Sequence, residues 1–369
     1  MHFTTVYSEI IEQIHKIDPI AYGKTRNYIN GAYTKLSPYI SRGVISTKQI
    51  AQIILSKGYK PSEIESFLKE LTWRDYFQQV WLALGQNINK DIKQTQPGVK
   101  NFEIAEALTM ASTGISAIDN GIIQLKRNGY LHNHIRMYVA SIACNIAKNH
   151  WLKPAKWMYY YLLDADWASN ALSWQWTAAS FSNKKYYANQ ENINKYCFTN
   201  QKNTFLDVTY EEIHELEIPE ILKKQANFNL KTVLPSPKKI QLNKNLPSYI
   251  YNFYNLDPNW GKEINANRIL LLEPSFFEQY PVCSHTIDFI LSLSNNIENI
   301  QIYVGEFDEL CQLIDISTLN FKEHPTSLHY RGIKHERDWM FKEVKGYFPS
   351  FFAYWKKCIK YFDSNFPKL

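Results

Sequence analysis

Residues 130 to 177 constrain this chain most. The stretch runs YLHNHIRMYVASIACNIAKNHW, crosses a short bridge, and continues YYYLLDADWASNALSWQWT. It is apolar enough to be core, yet it carries Asn133, Arg136, Asp164, Asp166 and Asn170. It also holds Trp151, Trp157, Trp167, Trp174 and Trp176. Buried polar groups need partners, and an ordinary core has little use for so many. A large, flat, hydrogen-bonding ligand accounts for both the polar groups and the aromatic rings.

Charge narrows the choice of partner. The net charge of the 369 residues is +6, unevenly placed. Residues 1–205 carry 23 Lys and Arg against 14 Asp and Glu, whereas residues 206–369 carry 18 against 21. A polyanion would therefore go to the first part, although solubility alone also explains such a balance. The five cysteines, Cys144, Cys197, Cys283, Cys311 and Cys358, show no CxxC spacing. That argues against a disulfide scaffold or a metal cluster and for a reducing, cytoplasmic setting. The opening MHFTTVYSEI lacks the basic and apolar regions of a signal peptide, and no run of 18 apolar residues occurs. We expect no membrane association, and a monomer.

Periodicity predicts helices over most of the first 180 residues. Residues 4–20 place Val6, Ile10, Ile11, Ile14 and Ile17 at helical spacing. Residues 21–37 read as loop. A short helix stops at Gly58, and a long one opens at Pro61-Ser62 and closes at Gly85. Residues 103–128 read as helix broken near Gly114, and 130–149, 154–163 and 167–180 as three more. Residues 184–205 read as a polar loop and 209–224 as a last helix, before a Pro-containing linker near 225–240. Beyond it, Arg268 to Pro274 and Ile300 to Gly305 read as buried strands around the helix TIDFILSLSNNI, a small parallel α/β unit. The chain closes with an aromatic helix, FPSFFAYWKKCIKYF. The expected fold is mainly α: a helical domain over 1–225, then a small α/β domain of unassigned role over 240–369.

Four constellations could carry chemistry. Residues 31–46, GAYTKLSPYISRGVIS, set Lys35 among hydroxyl groups and main-chain amides that could cradle phosphate, or simply turn into a helix. Residues 70–77, ELTWRDYF, place Glu70, Trp73 and Phe77 on one helix face beside Arg74. Such a face suits a flat substrate and a phosphate, or a packed Trp with a surface ion pair. In HNHIRM, Asn133, Arg136 and Met137 are helical neighbours, and Asp164 is the natural partner for Arg136. The histidines lack an evident third ligand, so we expect no metal. Trp174 follows Asn170 by four residues, while Trp176 points to another face.

Together, ELTWRDYF, HNHIRM and DADWASNALSWQW resemble signature runs of the photolyase/cryptochrome family, over roughly residues 20–205. The resemblance implies a helical domain that holds FAD below a cleft for damaged DNA. By match, Tyr22, Thr34, Lys35, Leu36, Ser37 and Arg74 would bind the phosphate side of FAD, and Phe67 stands where many members have a flavin-contacting Trp. Asn133, Arg136, Asp164, Asp166 and Asn170 would bind near the ring, with Asn170 facing flavin N5. Glu70, Trp73, Asn133, Met137 and Trp176 would contact a flipped cyclobutane pyrimidine dimer. Glu70, Asn133 and Asn170 would serve the catalysis, and Trp174 and Trp151 would pass electrons to the flavin. The residue before Asn133 is a single His132, which favours the cyclobutane dimer over the (6-4) lesion.

The sequence also departs from the family pattern. His134 replaces a common Arg. Residues 83–129 contain no Trp or Tyr, so the usual outer electron donor is missing: either the path is short, or Trp157 or a Tyr of 159–161 ends it. The α/β antenna domain that normally precedes the flavin domain is not seen ahead of it, and we expect no antenna pigment. The resemblance implies light-driven repair of dimer-containing DNA; the alternative is a cryptochrome-like blue-light receptor. The lesion-contact set supports repair, while His134 and the unusual C-terminal part support signalling.

Overall fold

The computed structural model describes residues 3–366. The chain divides into two compact units that interleave along the sequence. One comprises residues 24–33 and 86–230; the other comprises, among the described residues, 3–23, 34–85 and 231–366. The crossing at 230/231 falls inside the expected linker. However, residues 34–85 group with the C-terminal sheet rather than with the later helices, because their packing partners are in it.

The 24–33/86–230 unit is helical. Its main helices are Ser116–Asn128, Asn133–Ser141, Leu152–Tyr161, Trp167–Ala178 and Gln190–Cys197. The break expected near Gly114 is present: Glu106–Met110 and Ser116–Asn128 flank it. Asn133–Ser141 continues into a buried π turn, Ile142–Ile146, a distortion often found at functional sites. The polar loop expected over 184–205 holds the helix Gln190–Cys197 instead. Asn189 caps it, accepting a hydrogen bond from the Asn192 amide at 3.1 Å. The helix expected over 209–224 is only two short pieces, Glu212–His214 and Glu220–Lys223, interrupted by Pro219.

The other unit is built on a five-stranded, all-parallel sheet. Its strands are Ser248–Tyr251, Asn267–Leu272, Ile300–Val304, Leu319–Lys322 and Ile333–His335. Numbered along the chain they lie 3-2-1-4-5, a doubly wound order. Ile250 pairs with Ile269 on one side and Phe321 on the other. The sheet is larger than the two strands read from the sequence. The three missed strands are runs of three or four residues, too short for periodicity to mark.

The helices Tyr7–His15, Thr47–Leu55, Glu65–Leu84, Ser284–Ser294 and Phe351–Cys358 also belong to this unit. The helix expected over 4–20 is two, because Asp18 accepts from the amides of Ile20 and Ala21, both at 2.9 Å, and starts Pro19–Thr25. The long helix begins at Glu65 and ends at Gly85, whose φ of 52° releases the chain. Its Asp75 accepts from the Thr47 hydroxyl and from the main-chain N–H of Met340, at 2.9 and 2.8 Å. Gly43 lies so close to Tyr254 that a Cβ there would meet its carbonyl oxygen at 2.6 Å. No helix among the described residues is long and apolar enough to cross a membrane.

Candidate functional site

In the 24–33/86–230 unit the site starts from a tight crossing. Gly129 ends its helix at φ 67°, and its carbonyl accepts from Leu163 N–H at 2.8 Å. A side chain at Gly129 would strike Leu163 Cγ at 2.6 Å. That crossing pins Gly129 to the turn that leads into Asp164. One turn later Arg136 donates from Nη1 to Asp164 Oδ2 at 2.9 Å and from Nε to the Leu131 carbonyl at 2.8 Å. The pair expected from sequence is therefore formed, with the Asp164 side chain only 5% exposed.

Asp166 and Asn170 are buried too, at 6% and 8% exposure. Asp166 caps the helix Trp167–Ala178, accepting from the amide and hydroxyl of Ser169, both at 3.1 Å. Asn170 donates to the Ala155 carbonyl at 2.8 Å, which fixes its amide. Two carboxylates, a guanidinium and an amide are thus each held by partners within this unit. Such a set can match the alternating donors and acceptors on the edge of a flat heterocycle, and it fits a flavin ring.

At the start of the Asn133–Ser141 helix, His132 accepts from the His134 amide at 3.2 Å. Burial pushes the His132 and His134 imidazoles down to about 4, aided by the charge of His134 and Arg136 on the first and of Arg26 on the second. Both rings are neutral near pH 7. Asn133 is exposed and Met137 partly so, with the Asn133 amide 3.8 Å from Met137 Sδ. Trp176 is 42% exposed, tilted against Tyr186, while every other tryptophan of the 151–176 stretch is buried.

Trp174 and Trp151 are buried, at 2% and 0%. The Trp151 indole donates to Asp91 Oδ1 at 2.7 Å, and the Trp167 indole donates to Asn89 Oδ1 at 2.8 Å. Neither Asp91 nor Asn89 is among the residues singled out from the sequence. The available signal was chemical: buried indoles need acceptors, and the polar 86–101 segment offered them.

In the sheet-containing unit, Tyr22 meets Phe67 edge-on at 5.2 Å. Lys35 takes the left-handed conformation, φ 57°, just before Leu36 and the helix Ser37–Ser41. The Thr34 hydroxyl accepts from the Leu36 amide at 3.4 Å. Arg74 donates to the Ser41 hydroxyl at 3.2 Å, which donates to the Ser37 carbonyl at 2.8 Å. This ties Arg74 to the turn carrying Lys35, a cationic and hydroxylic set suited to phosphate oxygens. Glu70 and Trp73 are partly exposed on the same helix. One partner of Trp73 was not foreseen: Phe351, from the C-terminal aromatic helix, stacks on it at 3.9 Å and 10°.

Known proteins resemble this chain over about half of its length. A family model described as the FAD binding domain of DNA photolyase matches residues 67–252. The chain is 33% identical over 182 residues to the deoxyribodipyrimidine photo-lyase of Agrobacterium fabrum, covering 45% of this chain and 37% of that protein. It is 30% identical over 165 residues to cryptochrome DASH of Danio rerio, covering 42% of this chain and 32% of that protein. The chain thus spans about a third of the length of these curated relatives. Among solved structures, a bacterial class III photolyase from Agrobacterium tumefaciens aligns at 27% identity and TM-score 0.41, over 47% of this chain and 38% of that one. A Synechocystis cryptochrome aligns at 22% identity and TM-score 0.47, over 53% and 44%.

Proposed function

This chain belongs to the photolyase/cryptochrome family, and on that premise we propose that it is a light-driven enzyme that splits cyclobutane pyrimidine dimers in DNA. Its cofactor is FAD, which when bound, reduced and excited by light supplies one-electron chemistry. Lys35, Thr34, Ser37 and Arg74 bind phosphate oxygens, and Tyr22, Leu36 and Phe67 supply apolar contact. Arg136, Asp164, Asp166 and Asn170 bind the ring and exclude water from it. The neutral amide of Asn170 tolerates an anionic ring better than a carboxylate would.

One observation carries the repair reading. The residues assigned to the cofactor side of the Trp167–Ala178 helix and its approach are buried, whereas Trp176, on that same helix, is 42% exposed. An exposed indole, in the same unit as exposed Asn133 and accessible Met137, offers a stacking platform for a base that has left the duplex. Glu70 supplies a hydrogen bond to a pyrimidine edge and stabilises charge developing on the dimer.

The likeness to cryptochrome DASH supports a second reading, a blue-light receptor without repair activity. One assay separates them. Reduced, FAD-bound protein is illuminated with an oligonucleotide containing a thymine dimer. Dimer loss that disappears in Glu70→Ala, with FAD retained, supports repair; no dimer loss with FAD bound leaves the receptor reading.

A further inference from the structure

Asp91 is placed to do more than satisfy an indole. Its Oδ1 accepts the Trp151 Nε1–H at 2.7 Å, and its Oδ2 accepts the Gln96 main-chain N–H at 2.8 Å. Gln96 in turn accepts from the Trp151 main-chain N–H at 2.9 Å and donates to the Asn149 carbonyl at 2.8 Å. Trp151 is therefore fixed at both backbone and ring to the 91–96 segment. The indole is fully buried, while the Asp91 side chain is 17% exposed, with His150 Nε2 3.5 Å from the same oxygen. Two residues earlier, Asn89 meets the indole of Trp167 with a neutral amide oxygen. An amide is enough to satisfy a buried N–H, and a carboxylate costs more to desolvate. A carboxylate at Trp151 adds one ability that an amide lacks: it can take the proton.

An indole that has lost an electron is a far stronger N–H acid than the intact ring. We propose that Asp91 is the proton acceptor for Trp151 during photoreduction of the bound flavin. Along the path that the family resemblance implies, Trp174 would give its electron to the bound flavin, the oxidant, and Trp151 would replace it. The Trp151 Nε1–H bond then breaks, and its proton joins Asp91 Oδ1. Trp151 becomes a neutral radical, Asp91 a neutral acid, and Trp174 is restored. The proton passes to solvent from the exposed edge of Asp91. Return of the electron now requires a proton as well, so the oxidising equivalent stays on Trp151. This gives the path an end without a further donor from residues 83–129, which contain neither Trp nor Tyr.

The inference rests on FAD binding and on the Trp151–Trp174 path. It does not require dimer repair, so a protein inactive on dimers still tests it. Asp91→Asn keeps an oxygen for the indole and removes the base; Asp91→Glu keeps a carboxylate. Transient absorption of the full-length, FAD-bound protein should show a neutral tryptophan radical whose formation slows in heavy water. In Asp91→Asn it should show a cation radical, faster recombination and a several-fold lower yield of lasting reduced flavin, with partial recovery in Asp91→Glu. A merely structural Asp91 would leave the radical's protonation state unchanged in Asp91→Asn. That outcome, or photoreduction unaffected by Trp151→Phe, overturns the proposal.

Discussion

The segment 130–177 and the helix Glu65–Leu84 both carry expected site residues, but they treat their buried polar groups differently. In the first, Asp164 is held by a guanidinium and Asp166 by the start of its own helix. Both lie within a few tens of residues of their partners. In the second, Asp75 is held by Thr47 and Met340, neutral donors from opposite ends of the chain. The aromatic residues divide the same way: Trp176 stands open, whereas Trp73 is covered on one face by Phe351. Asp75 is thus fastened by two neutral donors, while Asp164 is paired with a cation.

Breaking the ion pair has the largest expected effect. Arg136→Leu leaves the buried Asp164 carboxylate without its guanidinium and should cost about 3–5 kcal/mol. Thermal unfolding and the flavin absorbance of purified protein check this; a variant with unchanged melting and full FAD content would remove the distinction between the two carboxylates.

Asp75 should show itself in pH dependence. Burial pushes its carboxyl up from 3.8 to about 6, against the lowering pull of Met340 N–H, the Thr47 hydroxyl and Arg337. The folded state thus favours the protonated form. The group's stabilising contribution is complete below its unfolded value and is lost as pH rises through about 6. The loss amounts to about 3 kcal/mol. Urea unfolding of wild type and Asp75→Asn across that window should give profiles that diverge as pH rises; parallel profiles would contradict the assignment.

The open and covered tryptophans offer a finer test. Trp176→Ala should weaken binding of dimer-containing DNA by about 1–3 kcal/mol while barely moving the melting temperature. Fluorescence anisotropy with damaged and undamaged oligonucleotides measures it, and equal binding by variant and wild type would argue against a stacking platform. The smallest effect belongs to the helix cap: Asp166→Ala should cost about 1 kcal/mol in chemical denaturation. A much larger loss of FAD than of stability would assign Asp166 to the ligand as well as to the cap.

Much of the helical site was legible because its signals are local. Asn133, Arg136 and Met137 follow helical spacing, and an Arg in apolar sequence calls for a carboxylate, which Asp164 provides. The pairing of Glu70, Trp73 and Arg74 on one helix face was legible for the same reason. The partners of these residues were less so. Phe351 on Trp73 and Asp91 on Trp151 join residues separated by hundreds or tens of positions, through contacts that no periodicity records. The short strands were lost for a related reason: four residues such as Ser248–Tyr251 become a strand only when Asn267–Leu272 and Leu319–Lys322 flank them.

By itself the sequence determined several of the helical segments, the family resemblance and the polar residues of the 130–177 stretch, since each depends on spacing within a few turns. Only the tertiary structure decided that residues 34–85 pack with the C-terminal sheet, that five strands take the order 3-2-1-4-5, and which tryptophan stays open. Those outcomes depend on which distant surfaces exclude water together. Burial is a property of the assembled chain and of no single segment.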